Sequence, residues 1–244
     1  MARIEINVTG TGSAIRRAER GILVLQAQSQ YLPTAEEASA SVVSTANALR
    51  EAIAPYCPQD ELTGSIQENA AISHYSMSTL DTSNHRERRP DPGDKYEKAI
   101  YDTLYNARAD FNIKFSDFSA LDKLATQFSA MPNVRIQGIQ WKLTDATLAS
   151  IEGGARKKAA QNALQRARDY AEVFADLSTE EAARKVRAVD VRESSHYQQS
   201  TRPQLHYGKT RRGHGEVVGR EELRFEPEDV SLEVKVEGKF VVEI

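Results

Sequence analysis

The chain has 244 residues, of which 40% are hydrophobic and 27% are charged, so it is a globular protein and not a wholly disordered one. Its 32 lysines and arginines against 35 aspartates and glutamates give a net charge of −3. That balance argues against wholesale electrostatic capture of nucleic acid or of an anionic membrane. Cys57 is the one cysteine, which excludes an intramolecular disulfide and a zinc cluster built on cysteines.

The compartment is predicted from targeting and membrane signals. The beginning of the chain alternates polar and apolar residues and lacks the continuous apolar run, about 7 to 15 residues long, of a secretory signal. The longest apolar run, 22–25, is far shorter than the roughly 20 residues of a membrane-spanning helix. We therefore predict a soluble protein of the cytoplasm, with the nucleus left open, and we expect neither secretion nor a membrane span.

Two strands are predicted at the start of the chain. Ile4, Ile6 and Val8 alternate with polar residues, which is typical of a half-buried strand, and Gly10-Thr11-Gly12 is expected to end it in a turn. A second strand is predicted over 21–31 because its apolar residues also alternate.

A helix with a defined start follows. Thr34 and Glu37 match the S/T-x-x-E capping box, in which each side chain pairs with a free backbone N–H of the first turn, and Pro55 ends the helix. Its apolar stripe, at spacings of three and four, is Ala38, Val42, Ala46, Leu49 and Ile53. A poorly patterned strand is expected over 66–77, and a charged loop with prolines and a glycine over about 81–95.

A second set of elements repeats the order strand, helix, strand. Alternating apolar residues predict a strand within 96–115, Asp117 is expected to cap a short helix, and Pro132 to end it. The apolar stripe of that helix is Phe118, Leu121, Leu124, Ala125 and Phe128. A further strand is predicted over 134–143. The same order at 20–78 suggests two strand-helix-strand halves, although the two copies share no residue-level identity.

The longest predicted helix covers about 146–177, and small residues recur along it at every fourth position: Ala155, Ala159, Ala163, Ala167 and Ala171. Such a stripe lets a helix backbone approach a sheet or another helix closely, while Gly153 and Gly154 weaken the helix. A strand is expected over 186–193, then a polar loop over about 195–226, then a long terminal strand with one apolar face. We predict one α+β domain over 1–244, with a mostly antiparallel sheet and two shorter helices and the long Ala-rich helix packed on one face.

Together these features resemble the SIMPL-domain family, a domain of unknown function, over nearly the whole chain. The matching segments are the opening strand with Gly10-Thr11-Gly12, 96–117, 134–143, the alanine-rich helix and the terminal strand after Phe225-Glu226-Pro227. The strongest is the helix, from Ala155-Arg156-Lys157-Lys158-Ala159 to Arg166-Ala167-Arg168-Asp169-Tyr170-Ala171. The family includes bacterial periplasmic immunogenic proteins and an animal kinase-associated signalling adaptor.

The resemblance implies an α+β domain with a tendency to self-assemble, exported in many bacterial members, and it supplies no catalytic residues. This chain differs from the pattern in three places. We expect no export signal, Asp176 stands where a glycine is expected after the alanine helix, and the chain carries the polar insertion at about 195–226. The first difference puts an envelope role in doubt.

No motif indicates catalysis, a cofactor or a metal. Gly10-Thr11-Gly12 is a fragment of the dinucleotide fingerprint with Ile15 in place of the third glycine, and 153–158 fails the phosphate-loop spacing. The histidines form no HExxH, G-x-S-x-G is absent, and Cys57 is interpreted as structural or incidental. We therefore predict a protein that is not an enzyme, with no cofactor.

Two basic runs are the most informative polar features. The first, 156–168, has five cations and no acid, and it is interpreted as the solvated face of the long helix. The second lies in the polar insertion and gives the candidate interaction residues, which would contact phosphates or an acidic partner: Arg202, His206, Tyr207, Lys209, Arg211 and Arg212. Tyr207 is a lone aromatic where stacking on nucleic acid usually needs several, so nucleic-acid binding is disfavoured.

Three functions are carried forward. The first is a non-enzymatic interaction protein that self-assembles or docks a protein partner, because one-sided strands expose edges that pair with other chains. The second is a small-molecule binder or enzyme with a cleft between sheet and long helix, for which Asp110, Asp117, Trp141 and Asp145 are the residues to inspect. The third and weakest is nucleic-acid binding through the basic runs.

Overall fold

The structure is a computed structural model that describes residues 3–59, 64–67, 69–88, 101–200 and 225–243. Within them the strands are β1 (Arg3–Arg17), β2 (Arg20–Gln28), β3 (Ile72–Met77), β4 (Asp81–Arg88), β5 (Tyr101–Phe115), β6 (Val134–Lys142), β7 (Val186–Ser200) and β8 (Asp229–Glu243). The helices are α1 (Ala35–Ile53), α2 (Phe118–Ser129), α3 (Asp145–Phe174) and α4 (Thr179–Lys185). Helices and antiparallel sheets confirm the predicted α+β class.

The chain divides into two compact units that interrupt each other in sequence. Unit 1 draws on Met1–Glu19, Trp141–His206 and Glu228–Ile244, and unit 2 on Arg20–Gln140 and Tyr207–Pro227. Each unit has its own sheet, so the long helix α3 packs on a different sheet from the two shorter helices α1 and α2. This detail differs from the single layered sheet that we expected. The prediction of one SIMPL-like domain over 1–244 stays a prediction.

Unit 2 carries a sheet in the order β3-β5-β2-β6, with β4 also paired to β5. The elements β2-α1-β3 and β5-α2-β6 are the two predicted strand-helix-strand halves, and their strand order is that of a split β-α-β arrangement. The core between sheet and helices is made of large side chains that are fully buried: Leu23, Leu25, Leu49, Ile53, Ile72, Phe111, Ile113, Phe115, Leu121, Leu124 and Phe128.

At both helix starts in unit 2 the predicted N-cap side chain accepts a hydrogen bond, and of the capping box predicted for α1 the half made by Thr34 is found. The hydroxyl of Thr34 accepts a hydrogen bond from the backbone N–H of Glu37 at 3.2 Å, and the carboxylate of Asp117 accepts one from Ser119 N at 2.9 Å. The predicted stripe of α1 is buried from Ala38 to Ile53. The capping residues and the buried apolar residues thus indicate the same helices, and this agreement is why both helices were predicted from sequence.

The predicted polar loop at about 81–95 is wrong for its first half. Residues Asp81–Arg88 form β4, which pairs antiparallel with β5 from Arg88↔Tyr101 to Asp81↔Arg108. The side chains of 81–87 are exposed, so this strand has no apolar face for a periodicity argument to detect. Its pairing comes from the backbone, with Arg108 and Asp81 bridged at 2.8 Å. Residues 89–95 lie outside the described residues.

Unit 1 carries a sheet in the order β1-β8-β7, with α3 against one face. β8 is the central strand, and its apolar residues alternate inward as predicted: Val230, Leu232, Val234, Val236, Phe240 and Val242. β7 begins at the predicted place but its backbone continues to Ser200, so the predicted loop at about 195–226 begins later than expected. Its remaining residues up to 224 lie outside the described residues.

Gly10 and Gly12 do not end β1, as predicted, but lie inside it and face α3. A Cβ atom added at either glycine would come within 3.0 Å of backbone atoms of Ala159, and of Ala163 or Ala155. The alanines of α3 at positions 155, 159, 163, 167 and 171 are all buried. The alanine stripe therefore produces the predicted close approach, and the strand contributes glycines because nothing larger fits. We call this contact the glycine–alanine seam.

The backbone at the end of α3 has the conformation for which a glycine was expected, although the residue there is Asp176. Asp176 has φ 52°, the left-handed conformation in which helices usually end on glycine. Ser178 then caps α4, because its hydroxyl accepts from Glu181 N at 3.3 Å and the Glu181 carboxylate accepts from Ser178 N at 3.0 Å. No helix among the described residues is long and apolar enough to cross a membrane.

Candidate interaction surface

The six candidate interaction residues, Arg202, His206, Tyr207, Lys209, Arg211 and Arg212, lie outside the described residues, so their predicted role stays a prediction. In the part of the chain that the structure describes, no group of three or more His, Cys, Asp or Glu side chains is arranged to hold a metal ion.

The residues proposed for a small-molecule cleft have structural roles. Asp110 on β5 accepts a hydrogen bond from Gln26 Nε2 at 2.8 Å, and Asp117 caps α2. Trp141 is buried, and Asp145 lies in the first turn of α3, where a negative charge stabilises the helix dipole. Asp110 and Asp117 belong to unit 2, whereas Trp141 and Asp145 belong to unit 1.

The thiol of Cys57 is buried against the unit 2 core, and this burial raises its pKa. A raised pKa leaves less of the reactive thiolate at neutral pH, so the geometry is that of an inert buried cysteine.

The basic run on α3 is partly occupied with contacts inside unit 1. Arg156 binds Glu152 one turn earlier and bridges to Glu193 on β7, with Nε 2.9 Å from the carboxylate. Lys158 and Arg166 both donate to backbone carbonyls of β1. These cations therefore hold the helix to the sheet, in addition to facing solvent as predicted.

The start of α3 is fixed by one carboxylate. Glu19, just after β1, accepts hydrogen bonds from Thr144 N at 2.8 Å, from Thr144 Oγ1 at 2.7 Å and from Thr147 Oγ1 at 2.7 Å. Thr144 is the N-cap of α3, and its own hydroxyl accepts from Thr147 N at 3.3 Å. This clamp sets the position of α3 along β1, which places the side chains of successive helical turns at defined strand residues.

Three side chains of α3 bind the outer edge of β1, which we call the β1 edge. Lys158 Nζ donates to Ser13 O at 3.3 Å, Asn162 Oδ1 accepts from Thr11 N at 3.1 Å, and Arg166 donates to Thr9 O. The three residues are four apart, so they lie on one helix face. Backbone groups of an edge strand that are already bonded in this way are not available to another strand.

The opposite edge of the same sheet, which we call the β7 edge, is different. Among the described residues, β8 is the strand that pairs with β7. Two valines on it are largely exposed, Val189 by 58% and Val191 by 55%. A strand edge with exposed β-branched residues is suited to pairing with another strand.

The face of this sheet away from α3 is polar and charged. Rows of side chains cross the three strands, for example Asn7, Lys239 and Asp190, then Thr9, Glu237 and Arg192. These six residues, with Val8 and Gly238, line a shallow concavity of about 410 Å³.

Ion pairs on this face leave little net charge. Lys239 Nζ lies 2.9 Å from Glu5 and lowers the pKa of that carboxyl, and Arg192 Nε lies 3.0 Å from Asp190. Opposite charges alternate here, so the face has no dominant sign with which to attract a strongly charged ligand.

The β1 edge contacts were missed from sequence, although a signal for them exists. Lys158, Asn162 and Arg166 follow the same four-residue spacing as the alanine stripe, one position away from it. Long polar side chains beside a small-residue stripe are expected to reach around the edge of the strand that the stripe covers.

Comparison with protein families gives a match over nearly the whole chain. The family model of SIMPL, described as a protein of unknown function (DUF541), matches residues 6–240. A search among curated proteins finds no match.

Proposed function

Because the chain belongs to the SIMPL family, whose function is unknown, we propose that it is a non-enzymatic interaction protein that self-assembles or docks a protein partner. The observation that carries this proposal is the difference between the two edges of the unit 1 sheet. The β1 edge is bound by side chains of α3, whereas the β7 edge presents Val189 and Val191 to solvent. Proteins usually protect strand edges, so the difference favours a partner at β7.

The remaining parts of the proposal rest on the sequence. The absence of catalytic motifs supports an interaction protein over an enzyme. The basic residues Arg202, Lys209, Arg211 and Arg212 follow β7 in the chain, and we assign them to docking of an acidic partner. A cytoplasmic location and a role as a signalling adaptor belong to the same proposal.

Self-assembly is tested by the native mass of the purified chain, measured by light scattering at low and moderate salt over a range of protein concentrations. We expect an oligomer whose mass is retained at moderate salt, because strand pairing depends on backbone hydrogen bonds. Val191→Lys places a charge on the β7 edge and is expected to reduce the mass to that of a monomer.

The matched control is Ile15→Lys. Ile15 lies on β1 and is 55% exposed, the same fraction as Val191, so the two substitutions add the same charge at equally exposed apolar positions. Ile15→Lys should leave the mass unchanged. A monomeric wild-type chain at every concentration would contradict self-assembly.

Docking is tested separately, by capture of binding proteins from a lysate with the wild-type chain and with a variant in which Arg202, Lys209, Arg211 and Arg212 are changed to glutamine. We expect acidic proteins to be retained by the wild type and lost by the variant. Identical captured sets would show that the basic segment has no docking role.

A further inference from the structure

We infer that the partner at the β7 edge is a second copy of this chain, paired β7 to β7 in antiparallel fashion about Val191, so that two molecules form a closed dimer. This inference deepens the proposed self-assembly and rests on it. The resulting sheet would have the order β1-β8-β7-β7-β8-β1, with both outer edges bound by α3 side chains.

The closed form follows from the state of the β1 edge. An open-ended assembly grows by edge pairing only if each molecule has two free strand edges, one for each of its two neighbours. Thr9 O, Thr11 N and Ser13 O already bind Arg166, Asn162 and Lys158. Within the unit 1 sheet, the β7 edge is then the edge without such contacts among the described residues, and its pairing with the same edge of a second molecule gives a two-fold arrangement.

The backbone pattern identifies which residues of β7 point outward. Thr9, Thr11 and Ser13 bind α3, so the residues between them, Gly10 and Gly12, are the ones whose backbone faces β8. In antiparallel sheets this direction alternates at every residue, and β8 therefore turns Glu237 and Lys239 toward β7.

The partners of these two β8 residues on β7 are known from the register. Lys239 pairs with Asp190 and Glu237 with Arg192, while Val191 pairs with Gly238 between them. The backbone of Asp190 and Arg192 consequently faces β8, and the backbone of Val191 faces away from it. With a two-fold axis at Val191, the outward-facing backbone N–H and C=O groups of Val191 in one molecule thus lie opposite those of Val191 in the other.

Charge selects the same register. With Val191 opposite Val191 of the second molecule, Asp190 of each molecule lies opposite Arg192 of the other, which gives two pairs of opposite charge. An axis at Arg192 would set two arginines face to face, and an axis at Asp190 two aspartates. The pairing of β7 with β8 is regular between the register shifts at 188–190 and 193–195, so we centre the pairing of the two β7 strands on the residues between these shifts.

The first test exchanges these charges and measures the dimer dissociation constant by sedimentation. Asp190→Arg or Arg192→Asp alone creates two like-charged pairs in the dimer and is expected to weaken it about tenfold or more. The double variant, Asp190→Arg with Arg192→Asp, restores opposite charges and should return the constant to within about threefold of the wild type. Glu5→Gln, which alters a charge on the same face at β1, is the control and should have no effect.

The second test is covalent. Residues opposite each other in a hydrogen-bonded antiparallel pair have Cα atoms about 5.5 Å apart, which a disulfide spans. Val191→Cys should therefore form a disulfide-linked dimer under mild oxidation. Thr11→Cys on the β1 edge should not, and neither should the wild type, whose Cys57 is buried.

The outcomes separate this inference from the proposed function. A wild-type monomer contradicts both. An oligomer that ignores the charge exchange and does not cross-link through Val191→Cys leaves self-assembly standing but overturns the β7 pairing. Assemblies that grow beyond a dimer with concentration overturn the closed arrangement. Loss of dimer in both single variants and recovery in the double variant support the register at Val191.

Discussion

The two units pack helices on sheets in opposite ways. In unit 2, α1 and α2 meet the sheet through fully buried phenylalanine, leucine and isoleucine side chains, among them Phe111, Phe115 and Phe128. In unit 1, α3 meets β1 through the glycine–alanine seam, where backbone lies against backbone at Gly10 and Gly12. The first interface is filled by large side chains, whereas at Gly10 and Gly12 of the second interface the strand contributes no side chain.

The difference predicts opposite sensitivities. A core of large side chains loses stability when volume is removed, because a cavity remains. A seam of backbone contacts loses stability when volume is added, because no side chain is able to move aside. The close approach also explains why α3 side chains reach the β1 edge, since a more distant helix would not bring Lys158 and Arg166 to the strand carbonyls.

Phe111→Ala is expected to have the largest effect, a loss of about 3–5 kcal/mol in the free energy of unfolding, because it empties a fully buried site on β5. Urea denaturation followed by circular dichroism measures it. Tyr101→Ala on the same strand, where the ring is 56% exposed, is the control and should cost less than about 0.5 kcal/mol. Equal losses at the two sites would contradict the assigned core.

Gly10→Ala should cost about 2–3 kcal/mol, because the added methyl group meets backbone atoms of Ala159 and Ala163. The same substitution at Gly153 is the control. Nothing lies within 4 Å of a Cβ there, so alanine should stabilise α3 by about 1 kcal/mol. Thermal unfolding of the two variants should therefore shift in opposite directions. A neutral Gly10→Ala would mean that the seam is loosely packed.

Asp176→Gly is expected to stabilise unit 1 by about 0.5–1 kcal/mol, because glycine adopts the left-handed conformation at φ 52° without strain. Asn133 in unit 2 has a similar φ of 64°, but its side chain donates to Ser41 Oγ at 3.3 Å. Asn133→Gly should therefore gain less. Chemical denaturation measures both variants, and a larger gain at Asn133 would contradict this account.

The smallest expected effect is a pH dependence of the α4 cap. Hydrogen bonds from the backbone and hydroxyl of Ser178 lower the pKa of Glu181 from its ordinary 4.5. A carboxyl whose pKa is lowered by folding stabilises the folded state above its unfolded pKa, and this contribution disappears as pH falls through the lowered value. Glu181→Gln should therefore make the melting temperature less dependent on pH in the acid range. An unchanged pH dependence of the melting temperature would show that the cap does not contribute.

Sequence reasoning worked where a local signal and the tertiary packing agree. The caps at Thr34 and Asp117 and the apolar stripe of α1 are found as predicted, and the stripe of α2 is buried from Leu121 to Phe128. The same signal was overlooked at Ser178 and Glu181, which satisfy the capping-box spacing and start α4.

The wrong predictions arise where tertiary contacts place residues in structures that their type does not usually indicate. Gly10 and Gly12 have the composition of a turn, yet they are strand residues because α3 needs their missing side chains. β4 has no apolar face, so only its partner β5 reveals it as a strand. For the candidate interaction surface, the sequence predicted that strands have exposed edges but did not indicate which edge. Which edge is bound by α3 depends on the helix position set by Glu19, and local patterns do not contain that position.

The central place of β8 in the unit 1 sheet has a consequence for biosynthesis. β8 follows every other described element in the chain, yet β1 and β7 both pair with it and not with each other. During translation, residues 20–140 of unit 2 are synthesised while β1 is still without its partner strand β8. The unit 1 sheet consequently closes only after β8 has been synthesised, and a chain that stops before 229 lacks the strand that joins β1 to β7.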